Sequence, residues 1–477
     1  MTPAYTTPAS ARTRFGACRR LKRAVLLMAV MAIALTGFAN QAQAAPVASG
    51  CTLWASTTGN DAASGSSAAP FRTFKRLADA LVPGSVGCLR AGTYAPPAGV
   101  DGIALVRGGT TAAPATLRPA PGETVTVDGR LDIRSTAHDL VIAGLRLNGV
   151  SATGSEAGSV TIDADRVSLI GNDITAPTRI CVTSGYSRVV TGLVIEGNRI
   201  HHCGDGAPRA RQEHGVYLEQ TRGAIVRHNV IDHNNTRGIN LYFDADGTLI
   251  ENNVIDANQV GINLGAKNAG GVAYRSEHNV IRNNLITNNW ALHLESYYDE
   301  VAPVAGDLGN AVSANCFFGA DRSRVYNKLE GFRFDSTNRW VDPLYNGQPT
   351  GDYRLQAGSP CIGKGLRASI TSLRIRSVTA SSATVDAAVN PHRMTTSYYV
   401  RVRRCSDGTC SSAGSWMATS SSQVVGVLDI NVTKTLAGLT RGTTYQYQWV
   451  AHQALLPASN TAALVISGTG VFTTPAG

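Results

Sequence analysis

The chain has 477 residues, 43% hydrophobic and 16% charged, with a formal net charge of +10. That length suits two or three domains, and the hydrophobic share excludes a chain disordered throughout. Six of the basic residues (Arg12, Arg14, Arg19, Arg20, Lys22 and Arg23) crowd the N-terminus with no acidic residue among the first 44, so the remainder carries about +4 (10 − 6); that is too little to single out nucleic acid as a partner.

After the basic cluster comes an apolar run of 15 residues, Ala24–Phe38, shorter than the ~20 that span a bilayer. Ala42-Gln43-Ala44 then supplies a small-x-small cleavage site. Residues 1–44 read as a secretory signal peptide, which makes the protein secreted, extracellular and not inserted in a membrane. Beyond Cys18 eight cysteines remain, and an even number in an exported chain implies four disulfides. Spacing leaves their pairing open. The sequential scheme is the expectation: Cys51–Cys88, Cys181–Cys203, Cys316–Cys361 and Cys405–Cys410. No Cys or His spacing suggests zinc.

Residues 45–137 open with a capping segment and the first coils of the next domain. Phe71, Phe74, Leu77 and Leu81 form one face of a short helix that Pro83-Gly84 ends. Residues 138–365 repeat. Asn-x-Ile recurs at Asn172/Ile174, Asn198/Ile200, Asn229/Ile231, Asn253/Ile255 and Asn284/Ile286, in steps of 26, 31, 24 and 31 residues. GVYL at Gly215–Leu218 is followed by GINL at Gly238–Leu241 and Gly261–Leu264, then ALHL at Ala291–Leu294, in steps of 23, 23 and 30. A period in the twenties with variable inserts marks a solenoid. Val, Ile, Asn and Gly in period-two alternation make its units strands rather than helices. Stacked coils ~4.8 Å apart would pack the Ile ladder inward and set the Asn ladder at a turn that tolerates left-handed backbone. The fold class is all-β, a parallel β-helix.

GLVIEGNRIHHCG, HGVYLEQTRGAIVRHNVIDHN and GTLIENNVIDANQVGINLG resemble the right-handed parallel β-helix, or pectin-lyase-like, superfamily. WASTTGNDAASGSSAAPFRTFKRLADALVPGSVGCLRAGTYAP is similar to the N-terminal cap of its secreted members, and VDPLYNGQPTGDYRLQAGSPCIGKG (Val341 to Gly365) to a matching closing segment. The resemblance covers about residues 50–365 of the chain and is more specific for fold than for activity. Residues 366–477, with ATVDAAVNPHRMTTSYYVRVRR and LAGLTRGTTYQYQWVAH, resemble a fibronectin type III β-sandwich. That implies spacing or carbohydrate and surface association rather than catalysis.

In a β-helix, function lies on an outer face or in corner loops. Alternation turns Tyr217 and Glu219 outward, then Asn240 and Tyr242, then Asn263 and Gly265, then His293 and Glu295. Aromatics and amides side by side suit sugar rings and hydroxyls. Three inserts (Gly204–His214, Gly265–Glu277 and Glu295–Asn310) flank this face and make it a groove. The expected partner is an extracellular polysaccharide, acted on by a monomer. Arg211 and Glu213 join Glu219, Asn240, Tyr242, Asn263, His293 and Glu295 as substrate-binding candidates. His214 and Arg237 precede the glycines of adjacent coils, ~5 Å apart at the backbone. Exposed turn positions make His228 and His233 solvated, and Arg209, Arg211 and Arg222 have a bland reading as solubilising charges.

The pectin-lyase-like resemblance implies lyases, hydrolases, epimerases or binding proteins. β-Elimination from a uronate needs a carboxylate neutraliser, a base for the C5 proton and an acid for the leaving oxygen. Arg237 would neutralise, His214 or Lys267 would be the base, and Tyr217 the acid. A glycoside hydrolase needs two carboxylates within ~9.5 Å; Glu219 with Glu295, three coils apart, fails that test, while Glu213 with Glu219, or Asp299 with a neighbouring loop acid, stays open. The three-aspartate pattern of polygalacturonases and the Asp-Pro-His motif of mannuronan epimerases are absent. A non-catalytic binding or surface module stays open. Lyase chemistry leads. No cofactor is fixed by these residues. Calcium is left open, because related lyases hold it on clustered aspartates, and Asp244-Ala-Asp246-Gly247 reads more simply as a turn.

Overall fold

The computed structural model describes residues 45, 47–48, 50–149, 158–205, 213–298, 308–319, 321–406, 410 and 414–476. The signal-peptide segment, Arg211 and Asp299 lie outside the described residues.

Residues from Leu53 to Trp340 wind into a parallel β-helix of three sheets, with eleven, eleven and ten strands among the described residues. The Ile ladder packs inward as the alternation requires: Ile174, Ile200, Ile231, Ile255 and Ile286 are all fully buried. Beside it runs the asparagine ladder, which continues through Asn315 to Asn338. Each Oδ1 accepts both the backbone N–H and the side-chain amide of the preceding rung, as Asn253 does from Asn229 at 3.0 Å each. The residue before each ladder asparagine, rather than the asparagine itself, turns left-handed: Gly197 at φ 68°, His228 at 56°, Asn252 at 56° and Asn283 at 56°.

A second asparagine ladder, Asn234–Asn258–Asn289, explains why GINL recurs. A Cβ on Gly238 would sit 3.0 Å from Asn258 Nδ2 and 2.8 Å from the Gly261 carbonyl, so the strand can pass beneath the amide only as glycine. Ile239 and Ile262 then pair inward, Asn240 and Asn263 outward, Leu241 and Leu264 inward. GINL returns after one lap.

At the N-terminal end the short helix Phe74–Asp79, N-capped by Thr73, buries Phe71, Phe74, Leu77 and Leu81 against the open core. The opposite end differs from expectation. Aromatic rings close the core there: Phe317 stacks on Trp340 at 4.8 Å and leans on Phe334 at 5.6 Å. The 341–365 segment instead lies along the flank. Its hairpin (Tyr345–Gly347 with Asp352–Leu355) places Tyr353 and Leu355 on an apolar outer ladder of Val230, Val254, Leu285 and Cys316, joined by Cys361 beyond the hairpin. A surface stripe this apolar needs a cover.

The four disulfides pair in the sequential scheme. From Ser369 onward the chain forms antiparallel sheets of three and six strands around Trp449, Tyr447, Val400 and Val385. This unit is clamped to the β-helix. Arg393 donates to the carbonyls of Asn172 (2.6 Å) and Gly197 (3.2 Å). His392 stacks on His228 at 4.3 Å, which corrects the solvated reading of His228; His233 is exposed, paired with Asp232. Among the described residues no helix is long and apolar enough to cross a membrane.

Candidate functional site

One outward ladder crosses the face where the sequence places its candidates. Thr183, Tyr217, Asn240, Asn263, Glu295 and Tyr326 are successive partners on adjacent parallel strands. The register corrects the ALHL alignment. Gly261 is matched by His293, and Ile262 pairs with Leu294, a step of 32 rather than 30 residues. His293 therefore takes the glycine position and points inward. Among the described residues the second asparagine ladder ends at Asn289, so an imidazole fits where the next amide would lie. It is fully buried against Phe317 and Trp340, 3.4 Å from Asn289 Nδ2. Burial, helped by the charge of Arg324, lowers its pKa to about 4. His293 is a core residue, not a substrate contact.

His214 and Arg237 do lie on adjacent rungs, since Gly215 N–H donates to the Arg237 carbonyl at 2.9 Å, but their side chains part. His214 is 2% exposed. Its Nδ1 meets Thr236 Oγ1 at 2.7 Å and its Nε2 meets Asn240 Nδ2 at 3.1 Å. Asn263 Nδ2 donates to Asn240 Oδ1 at 2.7 Å, which turns the Asn240 N–H toward His214 and leaves the imidazole donating through Nδ1 to Thr236. Burial, then the charge of Arg237, pushes the His214 pKa well below the usual imidazole range. His214 is thus neutral, with its lone pair already engaged. It orients the two asparagines and is poorly placed to take a proton from a ligand. Tyr217, half-buried, meets the same ring edge-on at 5.2 Å.

Arg237 reaches across the Asn263 rung to Glu295, Nη2 to Oε2 at 3.2 Å, with both side chains part-exposed. Tyr297 and Tyr326 flank Glu295, exposed by 37% and 46%. The sequence reading missed both. The signal for Tyr326 was a step of 31 residues from Glu295, the same step the asparagine ladder shows twice.

Lys267 stands apart. It projects from a hairpin (Val260–Ala269 with Val272–Arg275) with Nζ 4.9 Å above the Phe243 ring, and four residues along the strand put it ~13 Å from Asn263. Tyr242, Phe243 and Tyr274 form an aromatic patch beside it through edge-to-face contacts at 6.0 and 5.4 Å. Gly265 makes room for this patch, since a Cβ there would come 2.5 Å from the Tyr242 ring. A bulge between Leu218 and Gln220 breaks the alternation at Glu219, which is 7% exposed rather than outward, and Glu213 is 4% exposed. Neither offers an open carboxylate on this face.

Asp244 and Asp246 are not free to hold calcium. Asp244 is bound by Arg222 and Asp246 by His278, each at 2.8 Å, so Arg222 is no idle surface charge. Among the described residues no group of three or more His, Cys, Asp or Glu could hold a metal. A cleft of about 820 Å³ lies elsewhere, between the β-helix flank and the C-terminal unit; among its charges Asp139–Arg166 and Glu196–Arg227 are already paired.

Compared with known proteins, residues 134–322 match the family model described as a right handed beta helix region. A stretch of 95 residues, 20% of this chain, is 34% identical to pectate lyase PEL9 of Emericella nidulans, and covers 22% of that protein's length. Among solved structures, pectate lyase Pel9A aligns over 67% of this chain and 93% of its own at 15% identity and a TM-score of 0.43. A rhamnogalacturonan lyase aligns over 62% and 91% at 13% identity and a TM-score of 0.31.

Proposed function

We propose that the protein binds a uronate-containing extracellular polysaccharide along the Thr183–Tyr326 ladder and cleaves it by β-elimination. One observation carries this reading: a cation, Arg237, fixed midway along a ladder of amides and tyrosines that follows the helix axis. The ladder's rungs repeat every ~4.8 Å, a spacing comparable to one sugar ring, so an extended polymer can lie across several of them. Tyrosine faces stack on sugars and Asn263 Oδ1, which has no partner, accepts from a hydroxyl; Asn240, 5% exposed, is taken up by His214 and Asn263 and only holds that amide in place. Arg237 is placed to neutralise a uronate carboxylate, which lowers the barrier to removing the neighbouring C5 proton. The local identity with a pectate lyase supports the same substrate class. In this reading residues 138–365 carry the activity, and residues 366–477 serve as a fibronectin type III-like spacer or attachment unit.

Hydrolysis is less well served. Glu219 is buried and three coils from Glu295, roughly 14 Å by strand spacing, beyond the ~9.5 Å limit for a carboxylate pair.

The test is ultraviolet absorbance of unsaturated uronate after the mature protein meets a panel of uronate polymers, with and without calcium. Absorbance should rise without calcium, and Arg237→Ala should lower kcat/KM by ~10²–10³, the scale of losing one transition-state donor. New reducing ends without absorbance would replace the lyase by a hydrolase. Binding with neither product would leave a non-catalytic module.

A further inference from the structure

Resting on the uronate reading, the Arg237–Glu295 pair raises a difficulty: the cation meant for the substrate already holds a carboxylate. The pair is also incomplete. Glu295 engages Nη2 through one oxygen, whereas a carboxylate facing a guanidinium edge can take two N–H bonds. Arg237 Nε is buried without a hydrogen-bond partner. On the rung between them, Asn263 Oδ1 is likewise without a partner in a residue only 2% exposed. Buried polar atoms are rarely left unpaired. Here one donor and one acceptor are left so on the same short stretch of ladder. Neither can turn away. The Asn263 amide is held by Asn240, which is held by His214, which is held by Thr236.

An unpaired guanidinium N–H beside a fixed amide oxygen complements a carboxylate beside a hydroxyl. A uronate ring carries both. We infer that Glu295 occupies the seat of a uronate carboxylate on Arg237, that substrate binds by exchanging one carboxylate for the other, and that the displaced Glu295 takes the C5 proton. The uronate carboxylate takes Nε and Nη of Arg237, and a ring hydroxyl donates to Asn263 Oδ1. Glu295 then has a free oxygen one rung away. It accepts the C5 hydrogen as a proton. The C–H electron pair becomes the C4=C5 double bond, the C4–O glycosidic bond breaks with its electron pair on oxygen, and that oxygen takes a proton from the Tyr326 hydroxyl on the next rung. The Tyr326 phenolate is reprotonated by Glu295 through solvent, and both groups return to their starting state.

Exchange also sets specificity. A neutral polymer offers nothing that can displace Glu295 from the cation, so it must bind with the internal pair intact. A uronate replaces one ion pair by another, and discrimination comes from that difference.

The experiment is calorimetric titration of the full mature protein with a saturated oligogalacturonate and with its carboxyl-reduced, neutral counterpart, alongside assay for unsaturated product. Glu295→Gln removes the competing charge, so it should bind the charged oligomer about tenfold tighter while forming no unsaturated product; its affinity for the neutral oligomer should not change. Arg237→Gln should lose affinity for the charged oligomer only. Thermal melts of each variant check folding. Wild-type binding with no gain in Glu295→Gln overturns the exchange, and product formation by Glu295→Gln overturns the proton role. Binding by Glu295→Gln where wild type shows none supports exchange. No binding by either, in folded protein, or cleavage of the neutral polymer by wild type, ends the uronate reading and this inference with it.

Discussion

At the scale of single residues, His293 shows how far position overrides type. Its folded pKa of about 4 lies below the ordinary 6.5, so protons favour the unfolded chain. Its neutral form is compatible with the native state above pH 6.5, and stability falls as pH drops from there toward 4. Across that gap the loss approaches ~3 kcal/mol, and buried His214 adds in the same direction. Urea unfolding at neutral pH and at about pH 4.5 should therefore show a steeper loss in wild type than in His293→Phe; equal slopes would remove His293 as the cause. Gly238→Ala is a second test. Its methyl must press on the Asn258 amide and the Gly261 carbonyl, at a cost of ~1–3 kcal/mol of unfolding free energy, read as a lower urea midpoint. The inward isoleucines were legible because alternation assigns their direction. His293 was not, because Leu-His-Leu satisfies the same alternation two residues out of register.

At the scale of elements, the asparagine ladder fixes which coil sits on which. Asn253 accepts two bonds from Asn229 and donates to the Val226 carbonyl and to Asn284 Oδ1. Asn253→Ala orphans the Asn229 backbone N–H and strips a bond from Asn229 Nδ2, the Val226 carbonyl and Asn284 Oδ1, so it should cost several kcal/mol, on the order of 1–3 per unsatisfied group. Asn268, exposed on the hairpin, should change stability by less than ~0.5 kcal/mol when made alanine. Equal effects at the two sites would deny the ladder its role. The strands, the isoleucine ladder and the first asparagine ladder announced themselves by repetition; the second asparagine ladder, Asn234–Asn258–Asn289, did not. The flank position of the 341–365 hairpin did not, because no repeat there records that Val230, Val254 and Leu285 face outward and need covering. The Arg237–Glu295 pair escaped for a related reason: its partners are two rungs apart in space but 58 residues apart in sequence.

At the scale of the whole molecule, the clamp couples the C-terminal unit to the β-helix. Arg393 satisfies two turn carbonyls, and His392 Nε2 lies 3.3 Å from Glu196 Oε1 in a buried pair. Replacing both His392 and Arg393 by alanine should split thermal unfolding into two transitions, read by calorimetry, with the C-terminal unit melting first; one unsplit transition would mean the clamp does not join them. The lap from Gly238 to Gly261 has a different consequence. Both ends carry the same four residues in the same orientation, so residues 238–260 can be copied in tandem with the cap and the aromatic plug unchanged, provided the flank segment lying across Val230 to Cys316 lengthens by one rung. Each copy adds one more floor to the face, ~4.8 Å taller, with another Asn240; its Tyr242 must become glycine, as Gly265 is, to make room for the Tyr242 ring on the floor below. A protein built this way lengthens its footprint on a polymer by whole storeys, and the preferred oligomer length would shift in integer steps.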